Sequence, residues 1–271
     1  MAAQTILITG STDGIGRQTA LELANRGEAV WLHGRNEERC RSAMAEISRR
    51  TGNPKLRCFV ADLAELAQVH RLVQEVKTAG SRLDVLINNA GVFRHKRELT
   101  PDGFELTFAV NHLAHFALTL GLVDRLRSSA PSRIITVASM VHADSIDFDN
   151  LQGEKDFSGF NAYARSKLCN ILFSYALAER LENSGVTANC LHPGVINTKL
   201  LRASWSGGES VSEGAKTPVF LATAPEAAAY SGQYFVNRTP STSSPITRDR
   251  EVRERLWADR KSTRLNSSHY S

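Results

Sequence analysis

The sequence predicts an α/β fold, one doubly wound parallel sheet in a single domain, and three observations carry that reading. Short apolar runs alternate with longer amphipathic stretches along the whole chain, the pattern of strands joined by crossover helices. The first run breaks at a glycine turn that opens directly into a helical pattern. A chain of 271 residues, 42% hydrophobic and 23% charged, suits one large core without a second domain.

Strands are expected at about residues 4–9, 29–33, 55–60, 83–88, 132–138, 186–192 and 232–236, with helices between successive ones. Thr5-Ile-Leu-Ile-Thr reads as a buried strand running into Gly10-Ser-Thr-Asp-Gly-Ile-Gly. Strand, glycine turn and helix in that order bind phosphate. Gly10 allows the turn, Gly14 admits a pyrophosphate to the backbone, and Gly16 lets the helix pack close to the strand. An ordinary glycine-rich turn is the plainer alternative, and the βαβ-length context favours the phosphate site.

The second strand ends at Gly34 and Arg35. A protein selective for NAD carries an acid there to hold the adenosine ribose hydroxyls, whereas a guanidinium suits a 2′-phosphate in charge and in fork geometry. NADP(H) is therefore expected over NAD(H). Arg35 also reads as a solvated loop charge paired with Glu37 or Glu38. The third strand runs through Val60-Ala61 to Asp62, which doubles as a helix N-cap before Ala64. Parallel strands with right-handed crossovers place a crevice beyond their C-terminal ends, where Gly10, Asn89, Ser139 and Pro193 all fall.

Tyr163 and Lys167 stand four apart in Asn161-Ala-Tyr-Ala-Arg-Ser-Lys, which stacks them on one helix face. A cation beside a phenol lowers its pKa by roughly 1 to 3 units, so the pair is expected to bring the tyrosine towards neutrality as an acid and base. Alone, such a spacing also arises by chance on exposed helices.

With these motifs in place the chain resembles the short-chain dehydrogenase/reductase family, from about Gln4 to Trp257. The resemblance rests on Thr9 to Gly16, on Asn88-Asn89-Ala90-Gly91, on Ser139 closing Arg133-Ile-Ile-Thr-Val-Ala-Ser, on Asn111, on Tyr163 with Lys167, and on Pro193-Gly194 with Thr198. It implies a Rossmann fold and an oxidoreductase that interconverts a carbonyl and an alcohol. By that likeness Tyr163 exchanges the proton with the substrate oxygen, Ser139 hydrogen-bonds the same oxygen, Lys167 lowers the tyrosine pKa and binds the nicotinamide ribose, and Asn111 holds a water linking Lys167 to solvent. It also implies cofactor contacts from Gly10, Ser11, Asp13, Gly14, Ile15 and Gly16, from Arg35, Asp62 and Leu63, from Asn89, Ala90 and Gly91, and from Pro193, Gly194 and Thr198. Phe148-Asp-Asn-Leu-Gln-Gly-Glu-Lys, Ser231-Gly-Gln-Tyr-Phe and Arg255-Leu-Trp are similar to retinol dehydrogenase-like members.

The segment from Pro193 to Val211 is expected to cover the substrate, with Ser206-Gly-Gly as a hinge. Its apolar Val195, Ile196, Leu200, Leu201 and Trp205 suit a hydrophobic carbonyl or alcohol, and equally suit packing of the lid itself. A catalytically silent dinucleotide-binding sensor on the same fold is the alternative function; such proteins usually lose the tyrosine or lysine. A purely structural partner protein is a third reading, which the motifs do not favour.

Four cysteines lack Cys-x-x-Cys or His-paired spacing, so reduced thiols in a cytoplasmic protein are expected and a metal site is not. The eight histidines show no ligand arrangement, and core or surface roles are their default. The apolar stretches are shorter than a membrane span, and the N-terminus lacks a signal-like core, so no membrane anchor is expected. Asp259-Arg-Lys-Ser-Thr-Arg-Leu-Asn-Ser-Ser-His looks like the in-frame translation of a sequencing adapter, which limits the expected domain to residues 1–258 and marks 259–271 as non-native. That tail carries +2 of the formal net charge of +5, and nucleic acid is not an expected partner. The family resemblance also implies a homodimer or homotetramer formed through the helices of Asn111 and Tyr163.

Overall fold

The computed structural model describes residues 3–202 and 207–266, the last six of them as backbone alone. An eight-stranded sheet has the order β3-β2-β1-β4-β5-β6-β7-β8. Its strands are β1 (Thr5–Ile8), β2 (Ala29–Gly34), β3 (Leu56–Val60), β4 (Val85–Asn88), β5 (Ser132–Val137), β6 (Val186–His192), β7 (Tyr234–Val236) and β8 (Thr239–Ser241). Every neighbouring pair is parallel except β7 with β8. The seven expected strands are all present within a residue or two at each end.

Side chains alternate across each strand, and both faces are covered, so the strands read as continuous apolar runs. Ile6 and Ile8 point towards α1 (Gly14–Asn25), α2 (Glu37–Thr51) and α8 (Val211–Thr223), packing with Leu23, Ile47 and Val219. Leu7 and Leu86 point the other way, towards α3 (Leu66–Ala79), α5 (Ala114–Ser128) and α6 (Gly159–Arg180), among Val73, Phe116 and Phe173. Contrary to the expectation that every apolar stretch is too short, Leu106–Ser128 is long and apolar enough to cross a membrane, yet 78% of its most apolar 18 residues are buried inside the fold.

β8 is the element the sequence does not announce. Asn237 and Arg238 both adopt positive φ, at 49° and 65°, and make the two-residue turn that folds β8 back on β7. Arg238 carries no sequence signal for that conformation, and Pro240 argues against a strand in any position but an edge.

At the other end of the chain, α9 (Arg250–Asn266) brings Trp257 against Phe116 and Phe173, with ring centroids 5.1 and 5.9 Å away. The helix continues through residues 259–266, and Arg260 lies over the Phe108 ring. A polar run that follows an established helix without a stop signal extends it at little cost, whatever its origin.

Candidate active site

β1 and β4 are adjacent although their helices leave to opposite faces, and the crevice opens above that switch point. It has a cavity volume of about 500 Å³ and is walled from one side mainly by backbone. Thr9 Oγ1 accepts from the amides of Asn89 and Ala90 (2.9 and 3.0 Å), while Asn89 Nδ2 donates to the Thr9 carbonyl at 2.8 Å. These bonds draw the glycine turn against the end of β4. The approach leaves no room for a side chain: a Cβ on Gly10, whose φ is +64°, would lie 2.8 Å from Ala90 Cα, and one on Gly16 would run into the Gly10 carbonyl. Asp13 caps α1 by accepting from Gly14 N at 2.8 Å.

Gly10, Asp13, Gly14, Ile15 and Gly16 all line the crevice. Ser11 does not, which corrects the expectation for that residue. Its hydroxyl donates to the Ile8 carbonyl and accepts from His33 N, both at 2.9 Å, so the fully buried side chain ties β1 to β2 from beneath. A serine in a glycine turn serves either the ligand or the turn, and the sequence alone does not distinguish them.

At the ends of β2 and β3 the crevice meets Arg35, Asp62 and Leu63 as expected, together with Thr12, His33 and Arg39, which the sequence analysis missed. Arg39 is legible in hindsight as the residue one turn into α2 after the Arg35 loop. His33 Nδ1 accepts from Gly10 N at 3.2 Å, and Nε2 lies 3.1 Å from the Ala61 carbonyl, to which it donates. Burial pushes its pKa down to about 4, so it is a neutral brace. Asp62 Oδ1 accepts from Ala64 N at 2.9 Å, but this bond closes a turn ahead of α3, whose N-cap position is Glu65, so the expected N-cap role of Asp62 is corrected while the residue faces the crevice.

The opposite wall is made of side chains. Ser139 at the end of β5 hydrogen-bonds the Tyr163 phenol, and its Oγ also accepts from Val141 N at 3.0 Å. His142, another residue without a sequence signal, donates from Nδ1 to the Ser139 carbonyl at 2.8 Å and accepts from Ser244 N at 3.0 Å, which fixes the turn carrying the serine. Lys167 Nζ sits 5.5 Å from the centre of the Tyr163 ring and donates to the Val137 carbonyl at 3.1 Å. The two side chains share a face, as their spacing predicts.

Their proton affinities differ from the expectation. Burial pushes Tyr163 up to about 12, opposed only by the Ser139 hydrogen bond, and burial pushes Lys167 down to about 8. Desolvation of both buried groups outweighs attraction between them.

Asn111, expected to hold a water that links Lys167 to solvent, has its side chain engaged by protein groups. It lies on a π-helical turn, Ala109–Leu113, between the short helix α4 (Leu106–Phe108) and α5, and it is fully buried behind the crevice wall. Its Oδ1 accepts from Val92 N (2.8 Å), and its Nδ2 donates to the Val92 carbonyl and to Ser166 Oγ, both at 3.0 Å. The side chain thus clamps the Asn89-Ala90-Gly91 loop to α6. The wide turn, which an apolar periodicity cannot reveal, aims it there.

Pro193, Gly194 and Thr198 line the far rim, as do Val195, Ile196, Leu200 and Leu201. The segment bearing them closes on itself: Glu209 N donates to the Val195 carbonyl (2.7 Å) and Asn197 N to the Glu209 carbonyl (2.8 Å). Lys199, on α7 (Lys199–Arg202), reaches back 2.5 Å to Asp13. Gly207 and Gly208 have φ of +83° and +103°; Trp205 and Ser206, expected in the lid and its hinge, lie outside the described residues.

The family model described as short chain dehydrogenase matches residues 4–208. The chain belongs to that family. It is an oxidoreductase interconverting alcohol and carbonyl groups with a nicotinamide dinucleotide. It is 41% identical to human retinol dehydrogenase 13, covering 94% of this chain and 83% of that one, and 39% identical to human retinol dehydrogenase 14, covering 95% and 85%. Among solved structures, an uncharacterized protein from Mycobacterium paratuberculosis superposes with a TM-score of 0.81 at 32% identity over 97% of this chain and 94% of the other. A short chain dehydrogenase from Burkholderia cenocepacia in complex with NADP gives 0.69 at 27% identity over 86% and 95%.

Proposed function

We propose that this short-chain dehydrogenase works with NADP(H) on a small hydrophobic carbonyl or alcohol, and that Tyr163 is its acid and base. The observation that carries the reading is Tyr163 buried in the crevice beside both Ser139 and Lys167.

The residues present fit a dinucleotide. Gly10 and Gly16 form a cradle that a Cβ would fill. The start of α1 offers free N–H groups to phosphate, and Arg35 and Arg39 line the crevice at the β2 end where the adenosine ribose would lie. Glu37 and Glu38, between these two arginines, do not line the crevice; two guanidiniums suit a 2′-phosphate, and the similar Burkholderia protein holds NADP.

A bound nicotinamide supplies or takes up the hydride at the substrate carbon. In the reducing direction Tyr163 gives its proton to the carbonyl oxygen, and in the oxidising direction it takes the proton from the hydroxyl. Ser139 donates to the same oxygen and holds it at the phenol. Lys167 keeps a positive charge under the tyrosine ring, which stabilises the phenolate once the proton has left. Val195, Leu200 and Leu201 exclude water from the substrate end, and their apolar surface matches a retinoid-like or aliphatic aldehyde, in keeping with the names of its curated relatives. We place the protein in a reducing cytoplasm, a reading supported by its four free cysteines.

The purified protein mixed with NADPH and a panel of hydrophobic aldehydes and ketones should consume absorbance at the nicotinamide band. The Tyr163→Phe variant should retain NADPH binding and lose roughly 10²- to 10⁴-fold in turnover. Tight NADPH binding with no turnover of any carbonyl, and no change in Tyr163→Phe, would establish a sensor instead.

A further inference from the structure

Behind Lys167 lies a buried polar pair that the mechanism above does not use. Asn170, one turn further along α6, donates from Nδ2 to the Asn111 carbonyl at 2.9 Å and to the Val137 carbonyl at 3.4 Å. The Val137 carbonyl is the one that Lys167 Nζ also uses, at 3.1 Å. On its other side, Asn170 Oδ1 lies 3.1 Å from His112 Nδ1. Both residues are fully buried. With two carbonyls fixing the donor end of the amide, Oδ1 accepts from His112, and the imidazole carries its proton on Nδ1. His112 is neutral, pushed down to about 3 by burial and by Arg260, and it is packed among the rings of Phe108, Phe116 and Phe173. It has no freedom to turn.

We propose that Asn170, oriented by His112, is a positioning residue for Lys167, aiming its donor end at the carbonyl shared with the ammonium and so fixing both the direction and the proton affinity of that lysine. The claim rests on the catalytic reading given above. An amide in this orientation presents its positive end beside the ammonium. The titratable groups facing Lys167 are Tyr163 from its own helix and His115 from α5, and His115 is itself held neutral by burial first and by Lys167 next. Neither is a carboxylate, and burial accounts for the lysine's lowered affinity. Asn170 shares the Val137 carbonyl with Nζ, so turning its amide would change the affinity that burial sets, and its orientation acts as a lever on Lys167. His112 is faced by Asn170 from α6 and by Arg260 from α9, so the lever itself is anchored by neutral and cationic groups only.

An Asn170→Asp substitution places a carboxylate of the same size next to Lys167, and an opposite charge at that distance raises a lysine pKa by about 1 to 3 units. His112→Phe keeps the ring packing but removes the donor to Oδ1, so the amide is held by its two carbonyls alone and turns Oδ1 to the ammonium more readily, and a smaller shift in the same direction is expected. The test is a titration of Lys167 in the full chain by NMR of ¹³Cε-labelled lysine, its signal assigned by its loss in Lys167→Met. A midpoint near 8 in the parent, raised by at least about one unit in Asn170→Asp, supports the proposal. A midpoint that stays with the parent's overturns it. If Asn170→Asp does not fold, His112→Phe decides alone: an upward shift supports the proposal and an unmoved midpoint sinks it. The alkaline limb of kcat against pH should follow the NMR midpoint in each variant. Absence of turnover in the parent would refute the catalytic reading, while the NMR midpoints would still answer for Asn170.

Discussion

Around Gly10 the crevice wall is main chain, whereas around Tyr163 it is side chain, and the two halves fail in opposite ways. The glycine turn is damaged by adding atoms, because Ala90 and the Gly10 carbonyl already occupy the space a Cβ needs. The β5–α6 half is damaged by removing atoms, because Ser139, Tyr163, Lys167, Asn170 and His112 form one chain of hydrogen bonds and ring contacts whose members are nearly all out of water. Binding belongs to the first half and proton transfer to the second, so the two functions should separate under mutation.

After Tyr163→Phe, the largest separation is expected from Ser139→Ala. It removes a donor to the substrate oxygen and should cut kcat by roughly 10²- to 10³-fold while leaving the NADPH dissociation constant within about twofold. A comparable loss of NADPH binding would break the division. Next come Arg35→Ala and Arg39→Ala. Each should weaken NADPH by roughly 10- to 100-fold, the worth of a charge-assisted hydrogen bond, and leave NADH nearly unchanged. Equal losses for the two dinucleotides would remove the residue concerned from the 2′-phosphate.

Gly10→Ala sharpens the comparison from the other side. A residue forced to a φ of +64° against Ala90 costs about 1 to 3 kcal/mol in thermal or denaturant unfolding, and dinucleotide affinity should fall with it. The smallest effect is a pH dependence. Tyr163, raised to about 12, keeps its proton across the accessible range, and Lys167, lowered to about 8, does not. Reduction should therefore hold steady at low pH and decline as the pH passes about 8, when the ammonium is lost. A rate that stays level through pH 8 and beyond would mean that loss of the Lys167 ammonium does not limit reduction.

The two halves also differed in how far the sequence disclosed them. Glycines announce backbone geometry, so Gly10, Gly14 and Gly16 mark the turn in the sequence itself. Tyr163 and Lys167 were legible because helical spacing is a strong geometric rule. Their proton affinities were not, since these depend on how much solvent the surrounding helices exclude. Ser11 was expected at the cofactor and Asn111 at a water, and the side chain of each also holds backbone in place, a role the sequence does not disclose. Asn170 draws no reading from the sequence, and His112 and His142 read as ordinary core or surface histidines, because their meaning lies in contacts across 58, 59 or 102 positions of chain. The π-helical turn that carries Asn111 leaves no trace in a pattern of apolar residues.

The hairpin at the end of the sheet has a consequence for how the molecule behaves in a crowd. In a two-residue hairpin Val236 and Thr239 form the bonded pair that closes the turn, so the next pair, Phe235 with Pro240, turns its amide positions outward. Proline has no hydrogen to offer there. A second molecule approaching β8 finds a border three residues long with its middle donor missing, and stacking of sheets end to end is blocked on that side without any charge having to repel it.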